Sequence, residues 1–256
     1  MGYRRFVNLR PLLPLALLSL VAAAFAQTAN APHPAGLVTT RTFPFSMVGK
    51  LIFSQGDDWF QGSGTVIRPS AVLTAAHNLW NPEHGFSTDV IFRRSLHGEE
   101  SAGDQAPSRV YVLAGYRDPV RRYSENDARS FSQDLGALLF ATPLAGGASS
   151  GWWAQPGLLL GSQPMIALGY GAQIHDGTEL LSVTPRGGFE QIADAFYDNR
   201  TVFFEGGMSG GPLFVRNTNG ALLVAGVVVA GAEDQQAGGV RVLDLKAAAF
   251  LREYIK

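Results

Sequence analysis

The sequence GGMSGGPL, residues 206–213, places one serine, Ser209, between two pairs of glycines. Glycine clusters of this kind form turns in which the backbone needs positive φ values. Small residues beside a hydroxyl also let a substrate carbonyl approach main-chain N–H groups closely enough to be polarised by them. The stretch by itself is compatible with a structural role and with a chemical one, and other parts of the chain must distinguish between them.

The first 26 residues have the pattern of a secretory signal peptide. Three arginines precede an apolar run, residues 12–25, and the segment ends in the small-x-small sequence Ala24-Phe25-Ala26. The apolar run is too short to span a bilayer comfortably. We therefore expect cleavage after Ala26 and a mature chain that is secreted or periplasmic and is not held in a membrane.

The composition narrows the functional classes of the mature chain. Removal of the three arginines changes the formal charge from -1 to -4, which argues against a nucleic-acid partner bound through its phosphates. The chain contains no cysteine, so thiol catalysis and cysteine-ligated metals are excluded. The sequence also has no HExxH motif and no close pair of histidines. We expect neither a metal nor a cofactor.

Many short apolar runs, separated by glycine, proline, asparagine and aspartate, predict an all-β fold. The predicted strands cover residues 47–54, 64–67, 72–74, 90–93, 110–114, 137–141, 165–169, 180–183, 202–204, 212–215, 222–229 and 240–243. The sequence NTNG, residues 217–220, lies between two of these runs and predicts a hairpin turn.

Three segments depart from this strand pattern. Residues 27–43 form a pro-segment or an N-terminal arm, and the polar stretch at residues 117–133 is predicted to be a surface loop. Near the C-terminus, Asp244 can cap a helix with one apolar stripe that should pack on the β body. The stripe consists of residues at helical spacing, namely Ala247, Phe250, Leu251 and Tyr254.

A serine hydroxyl needs a base to accept its proton before it can act as a nucleophile. Among the five histidines, His77 is the best candidate, because in VLTAAHNL, residues 72–79, an apolar strand ends in small residues just before the imidazole. The carboxylate candidate is Asp134, which directly precedes the apolar run of QDLGALLF. A buried carboxylate is costly unless it is paired, so Asp134 needs a partner such as an imidazole N–H. Taken alone, a histidine or an aspartate in such a position more often has a structural role.

Five motifs occur in the order in which trypsin-like serine proteases have them. They are GSGTVI from Gly62, LTAAH ending at His77, DLGALLF from Asp134, GGMSGGPLF from Gly206 and VAGVVVAG from Val224. Through these motifs, residues 44–243 resemble a bacterial, cysteine-free member of the trypsin-like (chymotrypsin-fold) serine proteases, near the glutamyl-endopeptidase branch.

The resemblance implies two six-stranded antiparallel β-barrels with the active site between them. The protease domain would span residues 44–256, with the boundary between its halves near residues 142–162. The implied function is a secreted serine endopeptidase that hydrolyses peptide bonds of polypeptide substrates through an acyl-enzyme. We expect it to act as a monomer.

The resemblance also implies a role for each candidate residue. Ser209 would attack the scissile carbonyl, His77 would accept its proton and return it to the leaving amine, and Asp134 would orient the imidazole. The main-chain N–H groups of Gly207 and Ser209 would form the oxyanion hole.

Two positions depart from the family pattern. Trypsin-like zymogens are activated when a new N-terminal amine pairs with an aspartate just before the nucleophile. Met208 occupies that position here, so this switch should be absent. The glutamate-binding branch carries a histidine where Val228 aligns, so the pattern favours an apolar or small side chain at the cleavage site. The other residues expected to line the substrate pocket are Phe203, Phe204, Glu205, Val229 and Gly231.

Two alternative functions are also compatible with the sequence. A secreted binding protein could have the protease fold without turnover. Residues 207–211 also match the GxSxG motif of serine esterases. The esterase fold that carries this motif needs a helix directly after the serine and a later histidine. The sequence disfavours that fold, because Gly210, Gly211 and Pro212 would break such a helix and the last histidine is His175.

Overall fold

The computed structural model describes residues 31–172, 175–231 and 237–255. The predicted signal peptide and its cleavage site therefore lie outside the described residues. Across those three ranges, none of the helices has the length and apolar character needed to cross a membrane.

Strands predominate in the described part of the chain. The first ten are β1 (His33–Pro34), β2 (Val48–Gln55), β3 (Asp58–Arg68), β4 (Ala71–Thr74), β5 (Trp80–Asn81), β6 (Gly85–Phe86), β7 (Thr88–Arg94), β8 (Asp104–Gln105), β9 (Arg109–Val112) and β10 (Gly136–Leu139). The others are β11 (Met165–Gly169), β12 (Leu181–Val183), β13 (Glu190–Ala193), β14 (Phe196–Asn199), β15 (Pro212–Arg216), β16 (Leu222–Gly231) and β17 (Gly238–Val242). The α-helices are α1 (Leu37–Thr40), α2 (Arg117–Arg122), α3 (Ala128–Phe131) and α4 (Leu245–Tyr254).

The long strands belong to two curled antiparallel sheets. The first has the order β8-β7-β2-β3-β4-β10-β9, and the second has the order β1-β12-β11-β15-β16-β17-β14-β13. Without the short edge strands β1, β8 and β13, each sheet has the six strands expected of a barrel. The prediction of an all-β, two-barrel fold with a C-terminal helix is therefore confirmed.

Apolar side chains fill three spaces: the inside of each barrel and the layer between them. The first barrel is packed with residues that include Leu51, Val66, Val72 and Phe92, and the second with residues that include Leu213, Val215, Val228 and Val240. A third cluster takes residues from both sheets and from α4, among them Leu73, Ala137, Phe214, Val229 and Phe250. This shared layer fixes the cleft between the barrels.

The helix α4 follows the second barrel in the chain and packs back onto the first. Asp244 caps it, because its carboxylate accepts a hydrogen bond from the N–H of Ala247 at 2.8 Å. At the other end of the helix, the ring of Tyr254 lies 4.4 Å from the ring of Tyr111 in β9. The prediction of a capped, docked helix is correct, and the helix connects the two barrels.

Two parts of the sequence prediction are wrong. The stretch at residues 117–133 was expected to be a loop, but it contains the short helices α2 and α3. Helices of four to six residues do not have enough turns to show a helical period in the sequence. Residues 202–204 form no strand, although Val202 and Phe204 are buried, because an apolar run can enter a core without joining a sheet.

The described part of the predicted N-terminal arm lies along the second barrel. His33–Pro34 pairs with β12, and the N–H of Ala35 donates to the carbonyl of Leu180 at 2.7 Å. The first barrel ends with β10 at Leu139, and β11 of the second sheet begins at Met165. The division of the protease domain near residues 142–162 stays a prediction.

The docking of α4 gives a testable prediction for stability. Phe250 is 4% exposed in the shared layer, whereas Leu245, on the same helix, is 81% exposed. We expect Phe250→Ala to lower the free energy of unfolding by about 3–5 kcal/mol through the cavity that it creates. Leu245→Ala should change it by less than about 0.5 kcal/mol. Urea denaturation followed by tryptophan fluorescence measures both, and equal effects would show that α4 is not docked.

Candidate active site

His77 lies at the point where the first barrel's core strand reaches the cleft. It follows β4, which is buried along its whole length, and it belongs to the short 3-10 helix Ala76–Asn78. The preceding residues, Ala75 and Ala76, are fully buried, which explains why small residues precede the imidazole. The His77 side chain keeps 13% of its surface exposed, so it can be reached from the cleft.

Asp134 is placed against His77 by the pairing of their strands. It lies just before β10, whose first residue, Gly136, pairs with Thr74 at the end of β4. Asp134 is 1% exposed, and its two oxygens are both used. One accepts the main-chain N–H of His77 at 3.0 Å, and the other is 2.6 Å from Nδ1 of the same residue. The buried carboxylate thus has the imidazole partner that the sequence suggested.

The surroundings of His77 favour its protonated form. Burial lowers the pKa of His77, but the charge and hydrogen bond of Asp134, together with the charge of Glu125, outweigh burial and raise the pKa above its ordinary value. Burial and the nearby Asp134 raise the pKa of Glu125, against the attraction of His77. Nothing in the sequence around Glu125 indicates this proximity, since it lies in a polar stretch without a motif.

Ser209 lies in the turn before β15, and its main chain is attached to the first barrel. Its carbonyl accepts the N–H of Ser63 at 2.8 Å and Nδ2 of Asn78 at 3.0 Å. Because Asn78 directly follows His77, the serine turn is bonded to the segment that carries the histidine. Within the described residues, no hydrogen bond joins the Ser209 hydroxyl to the imidazole. Such bonds are often long in proteases without substrate.

The peptide groups around Ser209 leave two N–H groups available. The carbonyl of Gly206 accepts the N–H of Ala172 at 2.6 Å, and the N–H of the same trans peptide, that of Gly207, must point the opposite way. Among the described residues, the N–H groups of Gly207 and Ser209 donate no hydrogen bond. Two neighbouring free donors next to a hydroxyl are the arrangement that an oxyanion hole requires.

Two glycines of the stretch at residues 206–213 are needed for steric reasons. Gly207 and Gly210 have φ values of +93° and +89°, which side chains disfavour. A Cβ on Gly207 would lie 2.5 Å from the carbonyl oxygen of Tyr170, and one on Gly210 would lie 2.1 Å from that of Ser63. The structural explanation of these glycines is therefore correct, and the chemical explanation stays a prediction.

Met208 occupies the position of the aspartate that serves the family's activation switch. Its side chain is fully buried in the core of the second barrel. An ammonium group brought beside it would lose its hydration without gaining a counter-charge, which supports the expected absence of that switch.

The residues predicted to line the substrate pocket are mostly inside the protein. The side chains of Phe204, Val228 and Val229 belong to the apolar clusters. Glu205 is 2% exposed and lies against Gly171. The two others, Phe203 and Gly231, are half-buried, and the residues that follow Gly231 lie outside the described ranges. The lining of the pocket stays a prediction.

Sequence reasoning missed the polar residues that support the serine turn. They are Ser63, Thr74 and Asn78 from the first barrel and Tyr170 from the second. Ser63 lies within the quoted motif GSGTVI, and Asn78 directly follows LTAAH. The motifs were a usable signal, but neither position indicates by itself which atoms it contacts.

Comparison with solved structures identifies the class of fold. No family model and no curated protein matches the chain. The thermostable serine protease AL20 from an extremophilic microorganism is 21% identical, with a TM-score of 0.64 over 80% of this chain and 94% of that one. A Glu endopeptidase is 15% identical, with a TM-score of 0.69 over 89% of this chain and 98% of that one.

A third neighbour limits what the fold alone implies. The scabies mite inactivated protease paralogue S-I1 is 15% identical, with a TM-score of 0.63 over 88% of this chain and 98% of that one. The chain therefore has the chymotrypsin fold of trypsin-like serine proteases, as its motifs predicted. Because an inactivated paralogue shares this fold, activity has to be argued from the site itself.

The crowding at Gly210 gives a second prediction. We expect Gly210→Ala to lower the free energy of unfolding by about 3 kcal/mol or more, because the methyl group would overlap main-chain and side-chain oxygens in a strained conformation. Gly206→Ala is the matched control, since a Cβ there has no atom within 4 Å. Thermal unfolding compares the two, and similar midpoints would contradict the packing described here.

The charges around His77 give a third prediction. Glu125→Gln should lower the pKa of His77, and Asp134→Asn should lower it further, because each removes a carboxylate that favours the imidazolium. The pH at which the ring loses its proton would move down in that order. NMR titration of the His77 ring measures the shift, with Glu253→Gln on α4 as a remote control. A pKa unchanged by Glu125→Gln would show that this carboxylate does not act on the imidazole.

Proposed function

We propose that the protein is a secreted serine endopeptidase that hydrolyses peptide bonds of polypeptides through an acyl-enzyme. The proposal depends on one observation: the buried Asp134 binds Nδ1 of His77, while the residue after His77 binds the carbonyl of Ser209. These contacts support the proposal that an acid, a base and a hydroxyl share one cleft between the barrels and have the roles that acyl transfer requires.

The hydrogen bond to Asp134 sets the tautomer of the neutral imidazole. With Nδ1 donating to the carboxylate, the neutral ring presents Nε2 as a proton acceptor toward the cleft. Oγ of Ser209 attacks the scissile carbonyl while Nε2 of His77 takes the hydroxyl proton, and Nε2 later delivers that proton to the leaving amine. Water then attacks the acyl-enzyme through the same proton transfers. The raised pKa of His77 supports this role, since Asp134 stabilises the imidazolium that forms in each step.

The free N–H groups of Gly207 and Ser209 would stabilise the negative charge on the substrate oxygen. Loss of one such donor typically lowers kcat by a factor on the order of 10²–10³. Neither a metal nor a cofactor is needed for this reaction. The specificity that we propose, for an apolar or small side chain at the cleavage site, rests on the sequence resemblance, in which Val228 aligns with the histidine of the glutamate-binding branch.

The cellular setting is proposed from the sequence. The N-terminal signal pattern supports export to the periplasm or the medium, and the net negative charge of the mature chain argues against a nucleic-acid partner. We further propose that the protein acts as a monomer, free of the membrane, on polypeptide substrates.

One observation favours an alternative, a protein that keeps the fold without turnover. The Ser209 hydroxyl and the His77 ring are not hydrogen-bonded to each other in the described residues, and an inactivated paralogue shares the fold. An esterase activity of the same triad is a further alternative. The fold in which GxSxG precedes a helix is wrong for this chain, because β15 begins at Pro212, three residues after the serine.

A serine-directed phosphonate tests the proposed function. We expect wild-type protein to gain one adduct, located at Ser209 by peptide mass spectrometry, and to cleave an unfolded protein substrate. The Ser209→Ala variant should gain no adduct and cleave no substrate. The kcat of Asp134→Asn should be about 10⁴-fold lower than that of the wild type, because the imidazole then has the wrong tautomer.

The controls separate the alternatives. Ser150→Ala changes another buried serine, remote from the catalytic residues, and should be labelled like the wild type. If chains beginning at Gln27 and near Pro44 both fail to react and to cleave, the protein is a catalytically silent member of the fold. Hydrolysis of ester substrates without any hydrolysis of peptides would identify an esterase instead.

A further inference from the structure

Ser63 has an unusual set of contacts for a residue without an assigned role. It lies in β3 of the first barrel and is completely buried. Its hydroxyl donates to the carbonyl of Gly207 at 2.8 Å and accepts the N–H of Tyr170 at 2.8 Å. Its own N–H donates to the carbonyl of Ser209 at 2.8 Å, and its carbonyl accepts the Thr74 hydroxyl at 2.7 Å. All of its hydrogen-bonding groups are therefore engaged.

Two of these partners are the residues of the proposed oxyanion hole. Ser63 binds the carbonyls of Gly207 and Ser209, whose N–H groups are the free donors described above. The bond to Gly207 fixes the peptide group between Gly207 and Met208, and the N–H of Ala172 fixes the preceding one through Gly206. Both peptide planes next to the Gly207 Cα are thus held from outside the turn.

The restraint matters because glycine supplies none of its own. Gly207 has a φ of +93°, and without a Cβ its neighbouring peptide groups can rotate at little cost. The N–H of Gly207 belongs to the peptide group 206–207, and rotation of that group would point the Gly206 carbonyl, instead of the N–H, at the substrate oxygen. The N–H of Ala172 opposes this rotation directly. The Ser63 hydroxyl supports both sides of the contact, because it donates to the Gly207 carbonyl and accepts the N–H of Tyr170, two residues before Ala172, and its loss would leave both of these buried groups unpaired.

Ser63 also connects this turn to the segment that carries the base. The Thr74 hydroxyl donates to the Ser63 carbonyl, Nδ2 of Asn78 lies 3.0 Å from the Thr74 hydroxyl, and the same Nδ2 donates to the Ser209 carbonyl. With the bond from Ser63 to Ser209, these contacts close a ring across the two barrels. Gly210 lies so close to this ring of hydrogen bonds that there is no room for a side chain at residue 210.

We propose that Ser63 is a positioning residue that anchors the turn carrying the two oxyanion-hole donors, the N–H groups of Gly207 and Ser209. The inference rests on the proposed endopeptidase function. The side-chain hydroxyl holds the peptide group 207–208, which lies between the peptide groups of the two donors, and the main-chain N–H of Ser63 holds the carbonyl of Ser209. Removal of the hydroxyl should therefore weaken stabilisation of the transition state more than binding of the substrate.

The test compares Ser63→Ala with Ser150→Ala in the mature enzyme. Ser150 is the matched control, because it is also buried and its hydroxyl also donates to a main-chain carbonyl, that of Val66, at 2.8 Å. We expect Ser63→Ala to reduce kcat by about 10–100-fold with KM changed less than about 3-fold. A peptide aldehyde, which forms a tetrahedral adduct, should bind more weakly by a similar factor. Ser150→Ala should leave all three values near those of the wild type.

An isosteric pair keeps the test decisive if the alanine variant does not fold. Ser63→Thr retains the hydroxyl and Ser63→Val lacks it, while their shapes are almost the same. The threonine variant should keep most of the wild-type kcat, and the valine variant should show the loss. Equal kcat values for threonine and valine, or a Ser63→Ala variant that behaves like Ser150→Ala, would overturn the positioning role while leaving the endopeptidase proposal intact. A wild-type enzyme that neither cleaves peptides nor reacts with the phosphonate would overturn both.

Discussion

The arrangement of this protein depends on hydrogen bonds that the serine turn cannot make by itself. The carbonyls of Gly207 and Ser209 point into the junction between the barrels, where water cannot reach them, and an unpaired buried carbonyl costs about 1–3 kcal/mol. The partners come from the first barrel, through Ser63 and Asn78. The turn is therefore satisfied only when the barrels are docked, so docking and assembly of the candidate site are one event.

Apolar packing also stabilises the docking of the two barrels. The layer between the barrels contains residues of both sheets, and α4 extends it by bringing Phe250 and Tyr254 from the end of the chain onto the first barrel. Arg241, in β17 of the second barrel, holds the start of this helix: its buried guanidinium donates at 3.0 Å to Asp244, the residue that caps the helix. The chain has no cysteine and therefore no disulfide, so these contacts hold the two barrels together without a covalent cross-link.

The sequence predicted the parts of the structure that have a local signature. The strand β11 was placed correctly to the residue, the cap of α4 was identified from Asp244, and His77 and Asp134 were paired on the cost of burying an acid. The predictions for the short helices α2 and α3 and for the run at 202–204 are wrong, since three to six residues do not distinguish a helical period from a strand period.

The supporting residues of the site were beyond the reach of the sequence for a different reason. The roles of Ser63 and Asn78 depend on contacts with residues more than 100 positions away in the sequence, at Gly207 and Ser209. A buried serine in a strand has the same appearance in the sequence whether it donates to a neighbouring loop or to the oxyanion turn. Glu125 is a similar case, because only the folded chain brings its charge near the imidazole.

The methionine beside the nucleophile has a consequence for the cell that makes the protein. Where trypsin-like zymogens stay dormant until an ammonium group is released, Met208 is already packed in apolar surroundings and has no charge to wait for. If the chain is the endopeptidase proposed here, its site does not wait for an ammonium group to pair at residue 208. If residues 27–43 are an arm and not a pro-segment, the safety of the producing cell would then depend on export of the chain before it folds, so that the time of translocation takes the place of a chemical trigger.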